Sequence, residues 1–80
     1  MRIEVRLHAS LERIRPGLRA GEPLVIELPE RATVGALLDA LGVPPREVHL
    51  CLVDGVAVTD PEHVLQAGQR VGLFPPVGGG

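Results

Sequence analysis

The chain has 80 residues, of which 45% are hydrophobic and 22% charged, and this composition is typical of a single globular domain. Its eight basic residues are all arginines scattered along the chain, and the formal net charge is −2, so the composition argues against nucleic-acid binding. No apolar run is long enough to cross a membrane, and no secretory signal pattern opens the chain. We therefore expect a soluble cytoplasmic protein.

Alternating polarity predicts two strands in the first third of the chain. In RIEVRLH, the apolar residues Ile3, Val5 and Leu7 alternate with polar ones, which is the period of a half-buried strand. The segment LVIEL, residues 24–28, repeats this pattern after a possible helical turn in ASLERI. We expect the second strand to run antiparallel to the first.

The segment TVGALLDALG predicts the main helix. Four apolar residues between Val34 and Leu41 follow the spacing i, i+3, i+4 and i+7. Thr33 can cap the start, and Gly42 can take the left-handed conformation past the end. The diproline Pro44–Pro45 cannot continue the helix, so the chain turns back there.

The second half of the chain predicts a hairpin and a last strand. HLCLVDGVAV has apolar runs on both sides of Asp54–Gly55, two residues that tolerate positive φ, and this pattern is typical of a hairpin. In RVGLF, Val71 and Leu73 would face the same side of a last strand. The element order β-β-α-β-β-β indicates an α+β fold with one helix packed on one face of a single sheet. If the last strand pairs beside the first in the centre of the sheet, its far end presents the C-terminal tail at one edge of the molecule.

Most of the remaining reactive side chains have a structural interpretation. Cys51 lies in an apolar strand, where we expect a small buried side chain and not a redox or sulfur-handling group. His8, His49 and His63 lack the spacing of metal ligands, so no metal site is expected. No nucleophile-base-acid set or phosphate loop is present, so the chain is not expected to be a catalyst. The charged residues of the first two strands should form a solvated sheet face, with some of them open to a partner: Arg2, Glu4, Arg6 and Glu27.

The C-terminal sequence FPPVGGG carries a family resemblance. Together with the chain length and the element order, it resembles the small β-grasp sulfur carriers of the MoaD/ThiS family, most closely MoaD, the small subunit of molybdopterin synthase, and more distantly ubiquitin. That family typically ends in Phe-Pro-Pro-Val, one variable residue and Gly-Gly, and Gly78 occupies the variable position here. The resemblance implies a ubiquitin-like β-grasp domain with a mixed sheet over residues 1–76 and an extended flexible tail over residues 77–80.

The chemistry of the tail follows from its terminal carboxylate. A free carboxylate is an anion at neutral pH and a poor electrophile, so a partner must activate it. The resemblance implies that a partner uses ATP to adenylate Gly80 and that sulfur then converts it to a thiocarboxylate, with no cofactor bound to the chain itself. Bare backbone at Gly78 and Gly79 suits a narrow active site, and Pro75 and Pro76 stiffen the root of the tail.

The resemblance also implies three partners: a MoaE-like large subunit of molybdopterin synthase, a MoeB/ThiF-like adenylyltransferase, and a sulfurtransferase or cysteine desulfurase. Strand alternation places Phe74 opposite the helix-covered side, which makes it a candidate interface anchor; alternatively it packs on Pro75 or Pro76. His8 and Ala57 match by position the hydrophobic patch with which such carriers dock, although both are less hydrophobic than the large residues common there. The predicted partner-binding set is His8, Ala57, Phe74, Pro75, Pro76 and Val77.

Two further functions remain open. The chain can serve thiamine synthesis or tRNA thiolation as a sulfur carrier, although the diproline favours the molybdopterin assignment, which covers a molybdenum or a tungsten cofactor. It can also be a ubiquitin-like modifier that joins target lysines through Gly80. Since the chain has no lysine, it could not build lysine-linked chains on itself.

Overall fold

A computed structural model describes residues 1–76; the predictions made for Val77, Gly78, Gly79 and Gly80 lie outside the described residues. The α-helix, α1, spans Val34–Leu41, and short 3-10 turns occupy Leu11–Ile14 and Pro45–Glu47. The strands are β1 (Arg2–Leu7), β2 (Pro23–Glu27), β3 (Leu50–Val53), β4 (Val56–Ala57) and β5 (Arg70–Phe74).

The five strands form one mixed sheet in the order β2-β1-β5-β3-β4. The first and last strands pair in parallel, with Leu7 beside Leu73, and the other pairs are antiparallel. β5 thus lies in the centre of the sheet beside β1, which is the condition on which the predicted presentation of the tail depends. The order of elements, the mixed sheet and the single face covered by α1 confirm the predicted β-grasp fold.

The predicted signals at the ends of α1 are present in the structure. The hydroxyl of Thr33 accepts a hydrogen bond from the amide of Ala36 at 3.1 Å, and Gly42 has φ of 75° just after the last helical residue. The connection between β4 and β5 completes the first turn of the helix, because the carbonyl of Pro61 accepts the amide hydrogen of Gly35 at 2.9 Å. β4 is only two residues long, and the chain that follows it makes this contact with the start of α1.

The core lies between the sheet and α1. Ile3, Val5 and Leu7 of β1 are completely buried, and the predicted hairpin turn is present, with positive φ at both Asp54 and Gly55. Within residues 1–76, the structure has no helix long and apolar enough to cross a membrane. The buried core comprises Ile3, Val5, Leu7, Leu11, Ile26, Leu28, Val34, Leu37, Leu38, Leu41, Val43, Cys51, Val53, Leu65, Val71 and Leu73.

Candidate docking face and tail root

The sheet face opposite α1 divides into a charged half and an apolar half. On β1 and β2 the outward residues are mostly charged, whereas on β5, β3 and β4 they are mostly apolar or lack a side chain beyond Cβ. The apolar half ends at the root of the tail. We call it the docking face, and it consists of His8, Leu50, Leu52, Ala57, Gly72 and Phe74.

Two residues of the predicted partner-binding set are in direct contact on this face. Because β1 and β5 run in parallel with Leu7 beside Leu73, the residues that follow them, His8 and Phe74, project side by side. The amide of His8 donates to the carbonyl of Leu73 at 3.1 Å, which extends the pairing past the end of β1. The two rings are stacked, with centroids 4.3 Å apart and planes 4° apart. Phe74 therefore has His8 as its aromatic partner, which the sequence interpretation did not foresee.

Two leucines of β3 belong to the docking face and were missed in the sequence. Leu50 lies opposite Phe74, and Leu52 lies between Gly72 and Ala57. Leu50 is 37% exposed although it is a large apolar residue, and it lies at the start of β3, opposite the last residue of β5. The sequence did contain a signal for these two leucines, because in HLCLV they alternate with residues that face the core. Their position beside Phe74 required knowledge of the strand order.

Ala57 occupies the outer rim of the docking face. It lies on β4, the edge strand of the sheet, and its neighbour across the ladder is Leu52. β3 separates it from β5, and neighbouring strands lie about 4.8 Å apart, so Ala57 is roughly 10 Å from the column of residues that contains Phe74. The structure thus places His8 and Phe74 beside each other at the tail-root end of the face and Ala57 on its outer edge strand.

An open groove of about 590 Å³ lies at the tail root. The turn after β1 forms one side of it, and there two residues other than glycine have left-handed backbone, with φ of 51° at Ala9 and 90° at Ser10. Such conformations cost about 1–3 kcal/mol each and persist where the surrounding structure imposes them. The groove is lined by Ala9, Ser10, His49, Leu50, Phe74, Pro75 and Pro76.

The charged half of the sheet face carries a small network of exposed ion pairs. Arg2 Nε lies 3.0 Å from a carboxylate oxygen of Glu27, and one oxygen of Glu4 lies 3.2 Å from Arg6 Nε and 3.4 Å from Arg70 Nε. Pairs of this kind contribute little to stability because solvent screens them. The four residues predicted for this face do lie on it, and Arg70 joins them from β5.

Cys51 is buried in the core, as predicted. Burial raises the pKa of the Cys51 thiol above its ordinary value, because desolvation disfavours the thiolate. The thiol therefore stays protonated and unreactive at neutral pH. Within residues 1–76, no three histidine, cysteine, aspartate or glutamate side chains come together in a way that could hold a metal ion.

A five-stranded mixed sheet with one covering helix, and an apolar outer face that leads into a glycine-ended tail, define a ubiquitin-like β-grasp carrier or modifier. A family model described as the ThiS family matches residues 13–80, and the chain belongs to this family of β-grasp sulfur carriers. No curated protein sequence gives a significant match.

Solved structures agree with this assignment. SAMP1 from Haloferax volcanii is 29% identical to this chain, with a TM-score of 0.74 and full coverage of both chains. The fold also matches a putative molybdopterin converting factor, subunit 1, from Pyrococcus furiosus, with 24% identity, a TM-score of 0.74 and coverage of 96% of this chain and 99% of that one. A further match, at 22% identity, a TM-score of 0.58 and full coverage of both chains, is to a complex of subunits 1 and 2 of the molybdopterin-converting factor from Helicobacter pylori.

Proposed function

We propose that this protein is a sulfur carrier that acts as the small subunit of molybdopterin synthase. The observation that carries the proposal is the continuity between the docking face and the tail, since Phe74 belongs to the face and the sequence PPVGGG follows it directly. A partner that covers the face would be positioned to receive Gly80. The FPPV root of the tail supports the molybdopterin pathway over the thiamine pathway.

In this proposal the chemistry takes place on the carboxylate of Gly80. A MoeB/ThiF-like adenylyltransferase transfers AMP from ATP to the carboxylate and releases pyrophosphate. The terminal sulfur of a persulfide on a sulfurtransferase or cysteine desulfurase then attacks the acyl carbon and AMP leaves. A thiol cleaves the resulting acyl disulfide, which leaves a thiocarboxylate on Gly80 and a disulfide on the partner. The carrier supplies the acyl group and the docking face, and its partners supply the catalytic residues.

The thiocarboxylate is then delivered to a MoaE-like large subunit, which holds the pterin precursor. The complex of subunits 1 and 2 from Helicobacter pylori supports a two-subunit arrangement, because it contains a chain with the same fold. Gly80 lies four residues beyond Pro76, and an extended residue spans at most about 3.6 Å, so the folded domain must dock close to the acceptor site for Gly80 to reach it. We place these reactions in the cytoplasm.

Similarity to SAMP1 favours one second candidate, a ubiquitin-like protein modifier. The name small archaeal modifier protein 1 is given to a Haloferax volcanii structure that is 26% identical to this chain, with a TM-score of 0.73 and coverage of 95% of this chain and 98% of that one. In that case, the activated Gly80 would be attacked by a lysine amine of a target protein. Both candidates share the adenylation step and differ in the final acceptor.

Intact-mass spectrometry tests the proposal. The protein is incubated with the adenylyltransferase, ATP and a persulfide donor, and we expect the mass change for replacement of one oxygen by sulfur. A variant that lacks Gly80 is the negative control and a known sulfur carrier is the positive control. The absence of any mass change while the known carrier reacts would refute the sulfur-carrier function. Formation of molybdopterin with the large subunit, as opposed to covalent adducts on lysines, distinguishes the two candidates.

A further inference from the structure

A second cleft lies on the outer sheet face, at the boundary between the docking face and the charged half. Its volume is about 260 Å³, and Gly72 in the central strand β5 forms its floor. On one side Gly72 pairs with Arg6 of β1, and on the other with Leu52 of β3. We call this the Gly72 cleft; it is lined by Arg6, Leu52, Gly55, Arg70, Val71, Gly72 and Phe74.

The fold itself does not require glycine at position 72. Its φ lies outside the left-handed region, and a Cβ added there would meet Phe74 Cε1 at 3.5 Å and His8 Nε2 at 3.9 Å, which are ordinary van der Waals distances. Glycine in the interior of a strand weakens the strand, because its backbone loses more conformational entropy on folding than that of other residues and because it has no side chain to pack. The effect of the glycine here is to leave open the space between Arg6 and Leu52.

The charges around the cleft are unevenly placed. Two arginines line it, and Glu4, the one carboxylate within residues 1–76 that pairs with them, does not. Glu4 shares one oxygen between Arg6 Nε and Arg70 Nε, and Asp54 Oδ1 accepts the backbone amide of Arg70 at 2.9 Å. Among residues 1–76 the terminal guanidinium nitrogens of Arg70 have no hydrogen-bond partner, and this side chain is 69% exposed. A guanidinium has five donors arranged in a fork that suits a carboxylate.

We propose that the Gly72 cleft receives an aliphatic side chain of the docked large subunit, and that an acidic residue beside it on the large subunit pairs with Arg70. The apolar walls at Leu52 and Phe74 fit the aliphatic group, and the terminal nitrogens of Arg70 fit the carboxylate, whereas Arg6 already donates to Glu4 and to the carbonyl of Gly21. This inference rests on the proposed function, since it specifies the partner surface that the docking face recognises. The partner segment is thus an acidic one with an apolar anchor.

The charged contact also predicts how binding depends on salt. Charged groups at the rim of an interface mainly raise the association rate, and salt screens them. The contact in the cleft floor is apolar and therefore insensitive to salt. Removal of the Arg70 charge should accordingly flatten the salt dependence of binding, whereas filling of the cleft at Gly72 should weaken binding equally at all salt concentrations.

The test compares Arg70→Gln with Arg2→Gln. Both variants lose one positive charge from the same sheet face, but Arg2 lies outside the cleft. The probes are the MoaE-like large subunit, to which the proposal assigns the cleft, and the MoeB/ThiF-like adenylyltransferase for comparison, and binding is measured by titration calorimetry and by association kinetics at low and high salt. For the large subunit, we expect Arg70→Gln to raise Kd about tenfold at low salt and to flatten the salt dependence, and Arg2→Gln to change Kd less than about twofold. Equal effects of the two variants on binding of the large subunit would overturn the proposal, and so would a loss confined to the adenylyltransferase.

Gly72→Val tests the apolar part of the cleft, with Gly72→Ala as a milder variant if the valine affects folding. We expect Kd to rise about tenfold for valine and less for alanine, with unchanged salt dependence and with melting temperatures close to that of the parent. Unchanged binding of a folded Gly72→Val variant would overturn the proposal and leave the sulfur-carrier function intact. If the parent protein neither binds the probes nor acquires sulfur at Gly80, the proposed function fails, and this inference fails with it.

Discussion

The imidazole of His8 lies flat on the phenyl ring of Phe74, with ring centroids 4.3 Å apart and planes 4° apart. The stack joins the end of β1 to the end of β5 and fixes the orientation of Phe74 before any partner binds. A side chain that is already ordered loses less conformational entropy on binding. His8 can therefore strengthen docking by positioning Phe74, in addition to any contact of its own.

Replacement of His8 by alanine tests this role. The variant loses a stacked aromatic partner, and such pairs contribute about 0.5–1.5 kcal/mol beyond their buried area. The stack exists in the free protein, so only the part of its energy that orders Phe74 before docking enters the binding free energy. We therefore expect binding to the large subunit to weaken by at most this amount, with partial or full recovery in His8→Phe. His63→Ala is the matched control, because His63 is exposed on the connection between β4 and β5. If His8→Ala binds as tightly as His63→Ala, the stack has no part in docking.

Phe74→Ala should have a larger effect on binding than on folding. Phe74 is half-buried, has no place in the buried core and lies beside the tail root, so we expect a loss of about 1–3 kcal/mol in docking free energy. The lost stack with His8 should lower the melting temperature only slightly. Calorimetric titration and thermal unfolding measure the two effects. Unchanged affinity together with a large fall in melting temperature would assign Phe74 to intramolecular packing.

Stability should fall at alkaline pH because of Cys51. Burial raises the pKa of the Cys51 thiol in the folded protein, so the folded state holds the thiol proton more tightly than the unfolded chain does. The free energy of unfolding therefore keeps its full value below the pKa of the unfolded thiol and falls as pH rises through the folded pKa. The loss should begin above about pH 8.5, the ordinary pKa of a cysteine. The chain has no lysine or tyrosine, and the N-terminal amine, which donates to the carbonyl of Leu28 at 2.6 Å, is the same in the parent and in Cys51→Ala, so the comparison of the two isolates the thiol. Urea unfolding at pH 7 and pH 10 should show an alkaline loss in the parent that is smaller in Cys51→Ala; equal losses would contradict the assignment.

The tail predicts a sharp contrast between Gly78 and Gly79. Valine at Gly79 adds a β-branched side chain where the backbone must approach the adenylating site most closely, so pyrophosphate release should fall steeply. Gly78→Ala, at the position that varies in the family, should retain most of the activity. Circular dichroism and melting temperature should match the parent in both variants. Equal adenylation of the two variants would show that the tail does not enter a narrow channel.

Local patterns in the sequence were sufficient for the elements and the fold class. Period-two alternation indicates β1 and β2, the i, i+3, i+4, i+7 spacing defines α1, and Asp54–Gly55 fixes the hairpin, because each of these depends on neighbours a few residues apart. The helical turn expected in ASLERI is present as the 3-10 turn Leu11–Ile14. The turn Pro45–Glu47 and the brevity of β4 were not specified in the prediction, and neither was the contact of the β4–β5 connection with α1, in which the carbonyl of Pro61 accepts the amide hydrogen of Gly35.

The candidate site was only partly visible in the sequence. Consecutive residues show the tail motif and place Phe74 on the outward side of its strand. The sequence therefore predicted the root of the tail and one interface anchor. The stack of His8 on Phe74, the place of Leu50 opposite Phe74 and the open cleft over Gly72 all require that β5 lie between β1 and β3. Strand order is decided by how the whole chain buries its apolar surface against α1, since a strand's own alternation says which residues face outward but not which strand lies beside it.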